Sequence, residues 1–186
     1  MSDTRERLLE LIKTYALRTG DFVLSSGRRS SYYIDCRLVT LRPDGAYLTG
    51  KALFDLLADE DIQAIGGLTL GADPIVSAVA AVSHLEGRPI QAFIVRKEPK
   101  SHGAQRLVEG PPISGMRVAI VDDAVTTGGS MFKAIEAAEQ EGCKVVATTT
   151  LVDRLEGGGD LIRQRGYRFK PLFTIRDFGI EPTPQS

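Results

Sequence analysis

The sequence predicts an α/β fold with a central, mainly parallel sheet that is flanked by helices. From residue 64 onward, short apolar strand patterns alternate with amphipathic helix patterns, and this alternation is typical of a parallel sheet covered on both faces. The predicted strands cover 64–68, 90–95, 118–121, 145–152 and 169–174, and the predicted helices cover 74–84, 131–141 and a short segment that ends at 165.

The first 40 residues do not follow this alternation. Residues 3–18 carry apolar side chains at helical spacing, and residues 21–37 are typical of a small hairpin around a Ser-Ser-Gly turn. We expect 1–40 to form a small hood over the carboxyl edge of the sheet and 41–186 to form the core, within one compact domain. Pro43 begins a further predicted helix that runs to 58, because proline is favoured at the first helical position.

The composition is that of an ordinary globular protein. The chain has 186 residues, of which 42% are hydrophobic and 25% charged, and its formal net charge is −1. This charge gives no reason to expect a nucleic-acid partner, and no apolar run approaches the ~18 residues of a membrane-spanning helix. The first residues lack the apolar segment of a signal peptide, so we expect a cytoplasmic protein. Cys36 and Cys143 are too isolated for a disulfide framework or a metal cluster, and we expect both to be buried.

The segment 117–131 carries the clearest functional signal. An apolar run is followed by Asp122 and Asp123 at the expected strand end, and a Thr/Gly/Ser loop then leads into a helix near Met131. Ligands in open α/β sheets sit beyond the carboxyl ends of strands, and a helix N-terminus suits a phosphate. We therefore expect a cradle for a ligand with phosphate and hydroxyl groups, in which Ser130 could also cap the helix. The alternative is an ordinary solvated connection between strand and helix.

Two better-known phosphate motifs are excluded for this segment. No lysine follows Gly128 and Gly129, so the segment is not a P-loop, and its glycine spacing is not that of a dinucleotide fingerprint.

A long polar stretch at 96–110 leaves the next predicted strand. We expect it to lack regular structure and to act as a lid, because structureless loops of this length in compact domains are usually functional. Arg96, Lys97, Lys100 and His102 could neutralise a polyphosphate leaving group, and His102 could also donate a proton. The alternative is a solvated surface loop, since lysine and arginine mostly lie in water.

Three further segments complete the same predicted edge. The glycine-rich turn 66–72 could present backbone N–H groups to an anion, unless it is a plain tight turn. Arg154 could bind a substrate carboxylate through two N–H groups, or it could pair structurally with Asp153 or Glu156. The hairpin tyrosines, Tyr32 and Tyr33, could stack on a flat base or could serve only in packing.

These segments resemble one known family. IVDDAVTTGGS resembles the signature of the type I phosphoribosyltransferases, which bind 5-phosphoribosyl-1-pyrophosphate (PRPP). VRKEPKSHG, followed by LVEG, resembles the catalytic loop of the orotate phosphoribosyltransferase branch, and SSGRRSSYYIDCR and VDRLEGG resemble its hood hairpin and base-side arginine loop. The resemblance implies the type I phosphoribosyltransferase fold and the transfer of the phosphoribosyl group from PRPP to orotate, which yields orotidine 5′-monophosphate and pyrophosphate.

The resemblance also implies a cofactor, an assembly and a set of site residues. Mg²⁺ would be held mainly by substrate and water, with no dedicated protein ligands, and the catalytic loop would be shared across a homodimer. Lys100, His102 and Asp123 would be catalytic, and Thr126 and Arg154 would bind orotate. The residues that would bind PRPP are Arg96, Lys97, Lys100, His102, Asp122, Asp123, Ala124, Val125, Thr126, Thr127, Gly128, Gly129 and Ser130.

The sequence departs from some members of this family at two positions and leaves two other functions open. Ser25 and Leu70 stand where those members have lysines, which removes two expected cationic contacts. One alternative function is phosphoribosyl transfer to another base, such as a purine, against which the loop motif and Arg154 argue. The other is a PRPP-binding regulator, for which no helix-turn-helix signal is present.

Overall fold

A six-stranded sheet forms the centre of the protein, whose computed structural model describes residues 2–23, 29–98 and 107–182. Its strands lie in the order β5-β4-β3-β6-β7-β8, and all neighbours are parallel except β4 and β5. A separate antiparallel pair, β1 and β2, belongs to the N-terminal region. The strands are β1 Leu17–Val23, β2 Arg29–Ile34, β3 Ala64–Leu68, β4 Gln91–Val95, β5 Val108–Glu109, β6 Arg117–Val125, β7 Lys144–Asp153 and β8 Phe169–Thr174.

Helices cover both faces of this sheet, which confirms the predicted fold class. Alternate residues of β6 point to opposite faces, so Ala119 and Val121 join one buried apolar cluster, while Val118 and Ile120 join the other. In the described parts of the chain, no helix is both long and apolar enough to span a membrane. The helices are α1 Ser2–Leu11, α2 Arg37–Thr40, α3 Pro43–Leu56, α4 Asp73–Leu85, α5 Gly129–Gln140 and α6 Gly158–Gln164, with a π-turn at Ile12–Ala16 and 3₁₀ turns at Ala58–Glu60 and Ile175–Phe178.

The N-terminal region differs from its prediction in two details. The helix predicted over 3–18 ends earlier, because Leu17 and Arg18 already pair with β2 and therefore belong to β1. The short helix α2 was not predicted, since four residues are too few to show a helical period. The region packs on the same core as the sheet, because Leu8, Ile12 and Tyr32 belong to the apolar cluster that contains Val121.

Strand β5 corrects the prediction that 96–110 lacks regular structure. Val108 pairs with Val95 and Glu109 with Ile94, so the end of this stretch returns antiparallel along β4. A two-residue strand carries no readable alternation, which is why the sequence does not reveal it.

Strand β6 is longer than the apolar run that predicted it. Asp122 and Asp123 lie inside the strand, which continues to Val125 because its pairing with β7 extends as far as Asp153. Helix α5 correspondingly begins at Gly129, two residues before the predicted start.

Candidate functional site

A cleft of about 550 Å³ lies at the carboxyl edge of the sheet, where β3 and β6 end and α5 begins. Its wall includes two carboxylates, the whole Thr/Gly/Ser loop and two lysines, so that charges of both signs face one space. The lining residues are Leu68, Lys97, Glu98, Asp122, Ala124, Val125, Thr126, Thr127, Gly128, Gly129, Ser130 and Lys133. The structure therefore brings Asp122, the segment 124–130 and two residues of the polar stretch, Lys97 and Glu98, together at one edge of the sheet.

The start of α5 leaves backbone N–H groups open toward this cleft. Gly128 is the residue before the helix, with φ +84°, and as a glycine it has no side chain that could cap the helix. The suggestion that Ser130 caps it is therefore wrong, because Ser130 already lies within the first turn. A Cβ on Gly129 would meet nothing within 4 Å, so this residue faces open space. Uncapped N–H groups and the positive end of the helix dipole together suit a phosphate.

The two aspartates form a closely coupled pair at the end of β6. The Asp123 N–H donates to Asp122 Oδ1 at 3.0 Å, and the Ala124 N–H donates to Asp123 Oδ1 at 3.0 Å. Burial raises the pKa of Asp122 well above its usual range, and the adjacent Asp123 carboxylate adds to the rise. Burial also raises the pKa of Asp123. A ligand that supplies hydroxyl donors or positive charge would therefore stabilise the ionised pair.

The turn 66–72 lies directly against Asp123. A Cβ on Gly71 would come within 2.5 Å of Asp123 Oδ1, and a Cβ on Gly67 would come within 2.1 Å of the Val121 carbonyl oxygen. Only glycine allows the backbone to approach this closely. Leu70 is 61% exposed at the tip of the turn and offers no cationic contact.

The basic residues that were predicted to act together in the polar stretch do not all lie at the cleft. Lys97 lines the cleft. Arg96 does not: its Nη1 lies 3.6 Å from Glu109 Oε1, and its Nε–H donates to the Glu98 carbonyl oxygen at 3.3 Å. Lys100, His102 and the hairpin position Ser25 lie outside the described residues.

Arg154 follows the end of β7 and is joined to the cleft wall through the backbone. Its N–H donates to the Val125 carbonyl oxygen at 3.0 Å. Its side chain is buried and forms the ion pair with Glu156 that the sequence left open, with Nε 2.9 Å from Oε1. The other candidate partner, Asp153, instead accepts a hydrogen bond from the Leu155 N–H at 2.9 Å.

The hairpin tyrosines have different environments. Tyr32 is 1% exposed and packs its ring under the Arg154 guanidinium, whose carbon lies 4.6 Å from the ring centroid. Tyr33 lies on the opposite face of β2 from Tyr32 and is 41% exposed. Its ring centroid lies 5.9 Å from that of Phe22. Tyr32 therefore serves in packing around Arg154, which was one of its two interpretations.

The sequence interpretation missed Lys133. This residue lines the cleft from α5, and it forms no ion pair within the described parts of the chain. The spacing could have revealed it, because residues four apart share a helix face and Lys133 is four residues after Gly129.

Known proteins resemble this chain in sequence and in structure. Residues 57–164 match the phosphoribosyl transferase domain family. Orotate phosphoribosyltransferase of Rhodopirellula baltica is 43% identical over 181 residues, which cover 94% of each chain. The crystal structure of orotate phosphoribosyltransferase from Mycobacterium tuberculosis H37Rv superposes with a TM-score of 0.85 at 42% identity, covering 95% of this chain and 99% of that one. The structure of the same enzyme with PRPP gives a TM-score of 0.81 at 38% identity, with the same coverage. The chain therefore belongs to the phosphoribosyltransferase family and, within it, to the orotate phosphoribosyltransferases.

Proposed function

We propose that this protein transfers the 5-phosphoribosyl group of PRPP to orotate, which yields orotidine 5′-monophosphate and pyrophosphate for pyrimidine nucleotide synthesis. The observation that carries the proposal is the cleft itself, where Asp122 of a buried carboxylate pair and the N-terminus of α5 line one space. This combination fits a sugar that bears both hydroxyl and phosphate groups. Membership of the orotate phosphoribosyltransferases then identifies the base.

Different groups of the protein bind different parts of PRPP. Asp122 and Asp123 accept hydrogen bonds from the ribose 2- and 3-hydroxyls, while the backbone of 124–130 holds the 5-phosphate. Departure of pyrophosphate leaves positive charge on the ribosyl carbon, which the ionised aspartates offset. Lys97, Lys100 and His102 stabilise the departing negative charge, and Arg96 joins them only if it leaves Glu109.

The orotate side of the proposed site uses Thr126 and Arg154. Thr126 lies in the loop between β6 and α5, which lines the cleft. Its carbonyl oxygen accepts a hydrogen bond from the Gly158 N–H at 2.8 Å. This contact and the one between Arg154 and Val125 place the two residues on adjoining segments. Arg154 then faces the orotate carboxylate, for which a guanidinium is well suited.

The donor chemistry of the cleft fits Mg²⁺ delivered with PRPP. Two carboxylates with raised pKa values, Asp122 and Asp123, offer oxygen atoms and favour nearby positive charge. Mg²⁺ prefers oxygen ligands and usually keeps water and substrate phosphates. Bound with PRPP, it would neutralise the charge that develops on pyrophosphate.

A homodimer with a shared catalytic loop is part of the proposal. An apolar groove of about 540 Å³ beside the turn 66–72 supports it, because Leu41 and Leu70 there are 72% and 61% exposed. We also propose a cytoplasmic location, because Cys36 and Cys143 are buried free thiols, which reducing compartments preserve.

A panel of bases tests the proposed reaction. With PRPP and Mg²⁺ present, we expect orotate to be consumed and adenine, hypoxanthine and uracil to remain, as followed by ultraviolet absorbance and product chromatography. Turnover of a purine without turnover of orotate would assign the protein to another base. PRPP binding without turnover of any base would favour a regulator.

Mixing two inactive variants tests the shared loop. Lys100→Ala and Asp123→Asn damage different halves of a site that two subunits would build together. After subunit exchange, half of the dimers carry one intact site, so we expect about a quarter of the wild-type activity to return. If each loop served its own subunit, the mixture would stay inactive, and two samples of the same variant provide the control.

A further inference from the structure

Three buried side chains meet between the hood and the sheet. Tyr32 comes from β2, Arg154 follows β7, and Glu156 lies two residues further along the chain. The Arg154 Nε–H points to the Tyr32 hydroxyl oxygen at 2.9 Å, and Nε lies 2.9 Å from Glu156 Oε1. The side chains of Arg154 and Glu156 are 8% and 4% exposed, so this cluster is almost fully withdrawn from water.

The cluster leaves one nitrogen of the Arg154 guanidinium without a partner in the described part of the chain. Among the residues that the structure describes, Arg154 Nη2 is buried and has no hydrogen-bond partner. Buried donors are normally paired, so an unpaired N–H group of a residue only 7% exposed indicates a place for an acceptor from a ligand. Stacking on the Tyr32 ring and the contacts of Nε together fix the plane of the guanidinium.

The Tyr32 hydroxyl is suited to this arrangement. Burial raises its pKa, and the Arg154 guanidinium opposes the rise, so the hydroxyl stays protonated at neutral pH. It can therefore accept a hydrogen bond from Arg154 and still donate one. Glu156 supplies the counter-charge that a buried guanidinium requires.

We propose that Tyr32 and Glu156 are positioning residues that hold Arg154 with the edge that carries its unpaired Nη2 toward the base, and that they thereby set the preference for a base bearing a carboxylate. This inference rests on the proposed function, since orotate is the base concerned. Uracil differs from orotate by the missing carboxylate and therefore loses the contact that this edge provides. The rigid fork of the guanidinium makes recognition depend on its orientation as well as on its charge.

Two near-isosteric variants test this role. We expect Glu156→Gln and Tyr32→Phe each to raise KM for orotate about tenfold or more, because the guanidinium is freed to turn away, while KM for PRPP stays within about twofold. Tyr167→Phe and Glu139→Gln are matched controls, because they remove a tyrosine–glutamate hydrogen bond of 3.1 Å elsewhere on the surface. Both controls should leave the two KM values unchanged.

Binding of orotidine 5′-monophosphate and of uridine 5′-monophosphate separates positioning from folding. These nucleotides differ only by the carboxylate, so we expect calorimetry to show that the wild-type preference for the former shrinks about tenfold in both variants. If both variants kept the wild-type preference for orotidine 5′-monophosphate while the wild-type protein consumed orotate normally, this inference alone would be overturned. Wild-type protein that never consumes orotate would instead overturn the proposed function.

A double-mutant cycle tests whether Glu156 acts through Arg154. In an Arg154→Lys background, Glu156→Gln should change KM for orotate far less than it does in the wild-type protein. Equal effects in the two backgrounds would mean that Glu156 acts independently of Arg154 and would overturn the positioning role. An equal loss of PRPP affinity in the single variants would do the same, because it would indicate general damage to the site.

Discussion

Replacing Lys100 with alanine should lower kcat by about two to four orders of magnitude while the protein stays folded. In the proposed reaction Lys100 would meet pyrophosphate as negative charge develops on it, so its contribution would belong to the transition state more than to the bound substrate. Steady-state kinetics should therefore show a large fall in kcat and a smaller change in KM for PRPP. Circular dichroism and the thermal midpoint should match those of the wild-type protein.

The control for this variant is Lys144→Ala. Lys144 is an exposed lysine at the first position of β7, at the opposite edge of the sheet from the cleft. Its replacement should leave kcat unchanged. If the Lys100→Ala variant kept the wild-type kcat, the 96–110 stretch would have no part in the chemical step, whatever the effect of the substitution on binding.

Replacing Asp122 with asparagine should stabilise the free protein while damaging the enzyme. Asp122 is only 8% exposed, and its charge lies beside that of Asp123, so the free protein gains stability when one charge is removed. A gain of about 1 kcal/mol corresponds to about 2–4 °C in Tm for a domain of this length. Affinity for PRPP should fall at least about tenfold, because the proposed charge-assisted hydrogen bond from a ribose hydroxyl to Asp122 would become a neutral one.

The stability gain should depend on pH with a defined sign. A carboxyl whose pKa is raised by folding favours the folded state fully below its ordinary value of 3.8, and this contribution is lost as pH rises through the raised value. The difference in Tm between Asp122→Asn and the wild type should therefore be small near about pH 4.5 and largest near about pH 8. A difference that shrinks toward high pH would contradict the raised pKa.

The sequence predicts the helices and strands that are long enough to show a repeating pattern of apolar residues. Apolar runs reveal β3 and β6, because strands buried on both faces are apolar at nearly every position. The end of β6 escapes this reasoning, since Asp122 and Asp123 resemble a strand terminus and only pairing with β7 keeps them in the strand. Strand β5 and helix α2 escape it because they are too short to show a pattern.

The sequence predicts which segments form the site, but it does not predict the contacts between their side chains. Thr126 to Ser130 and Asp122 meet in one cleft, as their position beyond a strand end implies. The direction of Arg96 toward Glu109 depends on β5, which the sequence does not reveal. The cluster of Tyr32, Arg154 and Glu156 joins residues 122 positions apart in the chain. Such a contact depends on how the N-terminal region packs on the core, and no local sequence pattern indicates that packing.

A continuous ultraviolet assay of orotate consumption tests the central claim most directly. It would compare wild-type protein with Asp122→Asn and Asp123→Asn, each with PRPP and Mg²⁺ together and with either one omitted. We expect orotate loss in the wild type only when both are present, and a rate at least about a hundredfold lower for Asp123→Asn. No orotate loss by folded wild-type protein, or equal rates for all three proteins, would contradict the assignment of the cleft as the PRPP site of an orotate phosphoribosyltransferase.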